Sequence, residues 1–343
     1  MTIVKSIFHI PNRKNNKVLY YFINSARYLV PGFFPRITRD FILKKYNNLN
    51  LSIKNEITER VNYYNKLEGV THYPDSASDG SEMIPLGKLR LKSTISGKKA
   101  KSVYVFDSYS YIRYFKKSLK AGFLFGDITH VPEIPSFVKS RPVNGDNSHS
   151  ILLPLNKIRH FTTVKDKWKF TEKRDILVGR AHVAQPQRIK FWEMYFNHPM
   201  CDLGNINKGL EGHSEWIVKP LSIEEHLKYK FILCIEGNDV ATNLKWVMSS
   251  NSLAVMPKPM YETWHMEGRL IPGYHYVEIN PDYSDLEEKL KYYINHPEEA
   301  EKITKNANEY IKKFTNKKIE KIVGLMVVNK YFQCTGQSTL CEI

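Results

Sequence analysis

The polar turn that begins at Gly237 follows the apolar run FILCIE and precedes a segment that is predicted to be helical. A second apolar run, SLAVMP, comes next, and the whole pattern is typical of a β-α-β unit. Backbone N–H groups at the start of such a helix lack internal partners, so they suit an anion such as a phosphate. Thr242, Asn243 and Lys245 could add side-chain donors. The alternative is an ordinary turn in which Asp239 caps the helix.

Several familiar chemical motifs are absent from the sequence. The turn contains neither G-x-G-x-x-G nor G-x-x-x-x-G-K-[ST], so neither a nicotinamide cofactor nor a P-loop is supported. None of the 12 histidines forms H-E-x-x-H or another metal-ligand spacing, and no two aspartates are separated by a single residue. The sequence therefore favours chemistry without a metal ion.

Two arginines occur in a second predicted strand-to-helix turn, VGRAHVAQPQR. A guanidinium group presents a planar fork of donors that suits phosphate oxygens. Arg180 stands at the carboxyl end of the predicted strand and is expected to reach an anion held by the neighbouring turn. Arg188 falls in the first helical turns and could equally be a solvent-exposed surface residue.

A carboxylate, Asp127, also stands where a predicted strand ends, in LFGDITHVPEIP. A carboxylate in this position could take a proton from an attacking hydroxyl group. Two alternatives stay open: Asp127 could simply initiate a turn, and Glu133 could be the base instead.

The elements around these residues alternate between strand and helix, which is typical of an α/β fold. In the first half, residues 102 to 107 are predicted to form a strand, SYIRYFKKSLKAG a helix ended by Gly122, and ILLPL another strand. In the second half, RDILVGRA, FILCIEG, SLAVMP and HYVEI predict strands, and PQRIKFWEMYFNH predicts a helix. Ser222 and Glu225 form a capping-box pattern. The second half therefore predicts a doubly wound sheet.

Residues 17 to 48 predict two short helices, interrupted at Pro31 and restarted at Pro35, in which aromatic and aliphatic residues alternate with Arg and Lys. Such a segment could lie on a membrane surface or pack its apolar face on the core, and the sequence leaves both alternatives open.

Bulk properties narrow the class of protein. A chain of 343 residues that is 42% hydrophobic can form two domains with real cores. The four cysteines, Cys201, Cys234, Cys334 and Cys341, show no C-x-x-C spacing and fit a reducing compartment. The N-terminus lacks a signal-peptide pattern, and no apolar run approaches the roughly 18 residues of a spanning helix. These features predict a soluble, cytoplasmic protein.

The charge is distributed unevenly. Residues 1 to 160 contain 26 basic and 11 acidic residues, whereas residues 161 to 343 contain 25 and 24. A basic first half attracts nucleic acid, anionic lipid or a phosphorylated substrate. A nucleic-acid-binding protein is therefore an alternative from another class, although no RRM, KH or zinc signature supports it.

The string from His226 to Met256 resembles glycosyltransferase family 90, which includes bacterial lipopolysaccharide core hexosyltransferases, CAP10-like capsule proteins and animal protein O-glucosyltransferases. Its H-x-K-Y-K-aromatic start, its E-G turn and its Leu244-Lys245 pair carry the resemblance. GDITHVPEIPSFVKSRPV is similar to the family's D-x-x-x-V-P segment. The likeness extends over residues 100 to 315, but Asn243 stands where animal members have arginine.

The resemblance implies two Rossmann-like domains that face a cleft, the GT-B type, with a helical N-terminal segment. It divides the chain into a basic acceptor-binding domain (1–160), a donor-binding domain (161–320) and a C-terminal tail (321–343). Asp127 is implied as the general base. The implied donor-phosphate ligands are Arg180, Gly237, Asn238, Asp239, Val240, Ala241, Thr242, Asn243 and Lys245.

The function implied by the resemblance is inverting transfer of a hexose from a UDP-sugar to a hydroxyl of a lipopolysaccharide core acceptor, with no metal and no further cofactor. Transfer in capsule or O-antigen synthesis, of hexose or xylose, is the nearest alternative. The basic first half is expected to dock on the anionic inner face of the plasma membrane. No nucleic-acid partner is expected.

Overall fold

The computed structural model describes residues 15 to 91, 93 to 95, 97 to 207 and 212 to 337, so the expectations about the extreme N-terminus and Cys341 lie outside the described residues. The helices are α1 (Lys17–Ala26), α2 (Phe33–Asn47), α3 (Leu51–Tyr64), α4 (Ser102–Ile112), α5 (Lys157–His160), α6 (Pro186–Tyr195), α7 (Ile223–His226), α8 (Leu244–Val247), α9 (Leu286–Asn295), α10 (Pro297–Lys312) and α11 (Lys317–Cys334). The strands are β1 (Met83–Pro85), β2 (Thr94–Ile95), β3 (Lys98–Lys99), β4 (Lys120–Phe123), β5 (Ser136–Val138), β6 (Ser140–Pro142), β7 (Ser150–Leu152), β8 (Arg174–Ala181), β9 (Cys201–Asn205), β10 (Tyr229–Leu233), β11 (Leu253–Met256), β12 (Tyr261–Thr263) and β13 (Val277–Glu278).

The second half contains a five-stranded parallel sheet in the order β13-β11-β10-β8-β9. The strand order reverses between β8 and β10, because the chain adds β9 on one side and the later strands on the other. Every residue of β10 and β11 is buried, which explains why apolar residues predominate in both strands. The predicted strands, the helix α6 and the capping box of Ser222 and Glu225 are confirmed.

The first half contains a four-stranded sheet in the order β1-β4-β5-β7, in which only the β1–β4 pair is antiparallel. The predicted strand at residues 102 to 107 is wrong, because these residues form most of α4. Gly122 does not end a helix either. It lies within β4, where a Cβ atom would stand 2.6 Å from the carbonyl oxygen of Pro135. Together, the two sheets and their packed helices confirm the α/β class.

The two halves share one large hydrophobic core, and a second core covers the opposite face of the five-stranded sheet. A two-stranded ribbon of β6 and β12 joins the halves. Within the ribbon, Arg141 and Glu262 form a buried ion pair at 2.8 Å.

The C-terminal helix returns to the first half of the molecule. Residues 321 to 334, which the sequence assigned to a tail, belong to α11, and this helix packs on α2, α3 and α4. Gly324 permits the approach, because a Cβ atom there would overlap the ring of Tyr111. The segment is therefore part of the folded body rather than an extension from it.

The N-terminal helices agree with the sequence, since α1 ends before Pro31 and α2 carries Pro35 in its first turn. A helix that combines the length and the apolar character needed to cross a bilayer does not occur among the residues that the structure describes.

Candidate active site

A cavity of about 450 Å³ opens at the carboxyl edge of the five-stranded sheet. The segments after β10 and β11 and the first residues of α6 form its walls. This edge lies where the strand order reverses, the usual place for ligands in an open α/β sheet. The cavity is therefore the candidate site for a small, extended ligand.

The polar turn forms one wall of this cavity through Gly237, Asn238, Val240 and Ala241. The backbone N–H groups of residues 238 to 243 donate to no acceptor in the described part of the chain. A row of unpartnered amide donors provides a binding site for an anion.

The helix after the turn is shorter than the sequence predicts. α8 has only four residues, because the Ser249 and Ser250 hydroxyls donate to the carbonyls of Trp246 and Val247 and compete with the helical pattern. Its helix dipole is correspondingly small, so an anion at this position would have to be bound by the amides of the turn.

Two side chains of α6 hold the turn in place. Arg188 donates to the carbonyl oxygens of His182, Ile235 and Glu236 at 2.9 to 3.1 Å. Gln187 Nε2 donates to the carbonyl oxygen of Gly237 at 2.7 Å. Arg188 is therefore a half-buried support of the turn rather than a surface residue.

Arg180 makes its contacts with the neighbouring strand. Its guanidinium donates to the carbonyl oxygen of Asp202 at 2.7 Å and pairs with the Asp202 carboxylate at 2.6 Å. Tyr229 donates to the other oxygen of that carboxylate. The described hydrogen bonds of Arg180 thus stabilise the β8–β9 edge, and its contact with a pyrophosphate stays a prediction.

Other residues of the predicted phosphate site lie behind the turn. Lys245 is buried and pairs with Glu267 at 2.5 Å. Asn243 Nδ2 donates to the carbonyl oxygen of Leu233 at 2.9 Å, and Thr242 is half-buried. Asp239 is buried and does not cap α8. These side chains support the turn, whereas its backbone N–H groups are the hydrogen-bond donors that remain available.

A buried ammonium group connects the turn to the first half of the chain. Lys139 Nζ lies 2.5 Å from Asp127 Oδ1 and 2.6 Å from Asp239 Oδ2. Ser140 Oγ donates to Asp239 at 2.6 Å, and Asn238 Nδ2 donates to Asp127 at 3.3 Å. The Lys139 side chain is 3% exposed and that of Asp239 is 6% exposed, whereas that of Asp127 is 37% exposed. Asp127 is thus the accessible carboxylate of this bridge.

The two carboxylates differ in their ionisation. Burial raises the pKa of Asp127, but the Lys139 ammonium and the hydrogen bonds from Lys139 and Asn238 lower it further, so the net pKa lies below the usual value. Burial dominates at Asp239, and its pKa is raised despite Lys139. Asp127 is therefore ionised at neutral pH and can accept a proton. Glu133, the alternative base, is exposed and accepts a hydrogen bond from Ser78.

Residues 156 to 331 match the family described as Glycosyl transferase family 90. The chain is also 37% identical to O-glucosyltransferase LpsA of Dichelobacter nodosus, over 94% of this chain and 96% of that protein. The chain belongs to glycosyltransferase family 90. Protein O-glucosyltransferase 2 of Danio rerio is 31% identical over 31% of this chain and 22% of its own length. Protein O-glucosyltransferase 3 of Homo sapiens is 35% identical over 25% of this chain and 17% of its own length.

Membership of family 90 confirms the resemblance seen in the sequence and makes this protein a glycosyltransferase, which needs a sugar donor and an acceptor. It also favours the enzyme over the nucleic-acid-binding alternative. The animal relatives align with only a quarter to a third of this chain, whereas the bacterial relative aligns with nearly all of it, including most of the first half.

Two titratable side chains at the candidate site had no role assigned from the sequence. Glu236 lines the cavity, and burial raises its pKa to about 7, although the N–H groups of Met260 and Tyr261 lower it by donating to its carboxylate. Its position directly before the glycine of the turn was the available signal. Lys139 was also missed, and its signal was a cation directly after the apolar pair Phe137-Val138.

Proposed function

We propose that this protein transfers glucose from UDP-glucose to a hydroxyl group of a lipopolysaccharide core acceptor, with inversion at the anomeric carbon. The observation that carries the proposal is the row of unpartnered amides at residues 238 to 243, beside a cavity and next to Asp127. The relatives named as O-glucosyltransferases support glucose. The likeness of residues 226 to 256 to the lipopolysaccharide enzymes, together with the basic first half, supports the acceptor.

The proposal includes the GT-B arrangement of two Rossmann-like domains. Residues 1 to 160 would bind the acceptor, and residues 161 to 320 would bind the donor. Two features support this division: the doubly wound sheet of the second range, and the hydrogen bond from Asn238 to Asp127, which joins the two ranges beside the cavity.

The chemistry is a single displacement. The acceptor oxygen attacks the anomeric carbon, the bond from that carbon to the diphosphate breaks, and UDP leaves with the electron pair. Asp127 takes the proton of the attacking hydroxyl group as that oxygen becomes acidic. The amides of residues 238 to 243 stabilise the charge that develops on the diphosphate.

The leaving group would need no metal ion and no cofactor beyond the co-substrate in this proposal. The amide row supplies positive potential where a divalent cation would otherwise act. Glucosyl transfer should therefore persist after the enzyme is dialysed against EDTA.

Nucleotide selectivity can be tested by thermal unfolding with UDP, GDP and CMP. UDP at about 100 times its dissociation constant should stabilise the fold by about 2.7 kcal/mol, and the other two nucleotides should stabilise it much less. The control is Gly237→Val, since a Cβ atom at Gly237 would stand 3.0 Å from the Arg188 guanidinium and disturb the turn. Equal shifts with all three nucleotides, or a full UDP shift in Gly237→Val, would contradict the proposed site.

Donor binding should depend on pH through Glu236. Since its pKa is about 7, Glu236 becomes ionised between about pH 6 and 8 and then repels the diphosphate. UDP-glucose affinity should fall about tenfold over this range, equivalent to about 1.4 kcal/mol of like-charge repulsion. Titration calorimetry with UDP-glucose is suitable, because its diphosphate does not titrate in this range.

The matched variant is Glu236→Gln, which retains an acceptor for the N–H groups of Met260 and Tyr261 and should bind UDP-glucose equally at both pH values. Because the folded-state pKa is raised, the contribution of Glu236 to stability is complete below about pH 4.5 and is lost as the pH rises through about 7. A wild-type affinity that does not change with pH would exclude this role.

A further inference from the structure

The first two helices expose an unusual amount of apolar surface. Nine of the 19 exposed large hydrophobic residues in the described chain fall between residues 18 and 41. They follow helical spacing, with Val18 and Phe22 on α1 and Phe33, Ile37 and Phe41 on α2. We call these nine residues the apolar stripe: Val18, Tyr21, Phe22, Leu29, Val30, Phe33, Phe34, Ile37 and Phe41.

Packing on the core accounts only for the opposite faces of these helices. Tyr20 and Asn24 are buried on α1, and Pro35 and Arg39 are buried on α2. Phe22 on α1 and Ile37 on α2 are not covered in this way, because they remain 70% and 69% exposed. Exposed apolar side chains concentrated in one segment in this way favour an interaction surface.

The charge around the apolar stripe is strongly positive. Residues 17 to 47 contain six basic residues and one acidic residue, Asp40. Lys45 lies over the ring of Phe41, so a cation directly borders the stripe. A helix pair with an exposed apolar face and basic edges matches an anionic bilayer surface.

A small basic pocket adjoins the apolar stripe. It has a volume of about 210 Å³ and is lined by Val30 of the stripe and by four cationic side chains, with no Asp or Glu in its lining. We call it the basic pocket. Its cations are Arg36, Arg90, Arg113 and Lys117.

The basic pocket contains polar groups without a partner in the part of the chain that the structure describes. None of its four cations is ion-paired with a described carboxylate, and the buried Arg113 Nε and Tyr28 hydroxyl have no hydrogen-bond partner there. Uncompensated buried donors beside several cations fit a phosphate group.

We propose that the apolar stripe inserts into the interfacial region of an anionic bilayer and that the basic pocket receives the phosphate of an anionic lipid headgroup. The inference extends the proposed function, because it names the surface that would hold the enzyme beside a membrane-bound acceptor. Glycosyl transfer in the cavity does not itself require this surface.

The test is co-sedimentation of the full chain with vesicles of phosphatidylcholine alone or of equal parts phosphatidylcholine and phosphatidylglycerol. Wild-type protein should sediment with the mixed vesicles and much less with the neutral ones. Phe22→Glu with Ile37→Glu should reduce binding to mixed vesicles at least about tenfold, since it places charge on both halves of the stripe. Arg36→Gln with Arg90→Gln should reduce binding about fivefold for each removed cation.

The matched control is Val70→Glu with Ile271→Glu, which changes two exposed apolar residues outside the stripe and should sediment like wild type. All variants should keep the UDP-induced thermal shift, so a failure of docking is distinguishable from a failure of the donor site. Equal binding of wild type to both vesicle types would overturn the proposal. The proposal would also be overturned if the apolar stripe is a dimer contact. In that case wild-type protein would be a dimer that does not bind vesicles, and Phe22→Glu with Ile37→Glu would convert it to a monomer.

Discussion

Replacement of Asp127 by asparagine is expected to reduce turnover by about 10²- to 10⁴-fold while UDP affinity stays nearly unchanged. The Asp127 carboxylate is ionised and accessible, and it accepts a hydrogen bond from Asn238 in the turn after β10. Asparagine keeps the size of the side chain but cannot accept the proton. Because Lys139 retains Asp239 as a buried partner, the variant should fold.

Steady-state kinetics with UDP-glucose, together with UDP binding, would measure this effect. Glu133→Gln is the control, because Glu133 is the other carboxylate of the same segment and should be dispensable. Since the pKa of Asp127 is lowered, kcat at saturating donor should stay flat between about pH 6 and 8. Wild-type turnover in Asp127→Asn, or a large loss of turnover in Glu133→Gln, would indicate that a carboxylate other than Asp127 is the base.

Lys139→Met is expected to destabilise the protein by about 3 to 5 kcal/mol at neutral pH. The substitution removes a buried ammonium that pairs with Asp239 at 2.6 Å and leaves that carboxylate, which is 6% exposed, without a cation. An uncompensated buried charge is costly, whereas the loss of the exposed Asp127 contact should matter little. Denaturant unfolding monitored by circular dichroism would measure the loss.

A double variant separates this electrostatic cause from a packing defect. Lys139→Met with Asp239→Asn removes both buried charges, keeps an acceptor for Ser140, and should recover most of the lost stability. In Lys139→Met alone, the pKa of Asp239 should rise further, so stability should be greater at acid pH and fall as the pH increases. If Lys139→Met is as stable as wild type, or if its loss of stability does not depend on pH, the Lys139–Asp239 ion pair does not stabilise the fold in this way.

The second half of the fold could be predicted because its signals are local. β8, β10 and β11 each contain a short apolar run that glycine or proline follows closely, and α6 and α7 have recognisable first turns. Each of these elements is specified within a few residues of its own position. The parallel sheet follows from their alternation.

The first half was predicted less well, because its apolar runs are ambiguous. Residues 104 to 108 of α4 are all buried, because other parts of the protein cover this helix on several sides. Its sequence therefore lacks the periodicity of a half-exposed helix and was predicted to be a strand. The position of α11 could not be predicted either, because its packing on α2 to α4 depends on contacts between residues far apart in sequence.

The sequence identified the polar turn after β10 but not the residues that support it. Gly237 to Ala241 could be identified because a glycine turn after an apolar strand has a local signature. Lys139 and Arg188 act through partners some 100 and 50 residues away, so their roles depend on tertiary structure. Lys245 was named from its spacing alone; the structure pairs it with buried Glu267, and its contact with a phosphate stays a prediction.

A crystal structure of the protein with UDP bound would show whether the turn after β10 binds the diphosphate. Diphosphate oxygens should lie about 3 Å from backbone N–H groups within residues 238 to 243, with the rest of the nucleotide in the adjoining cavity. A diphosphate bound elsewhere, for example beside Arg180 and Asp202 with those amides untouched, would contradict it.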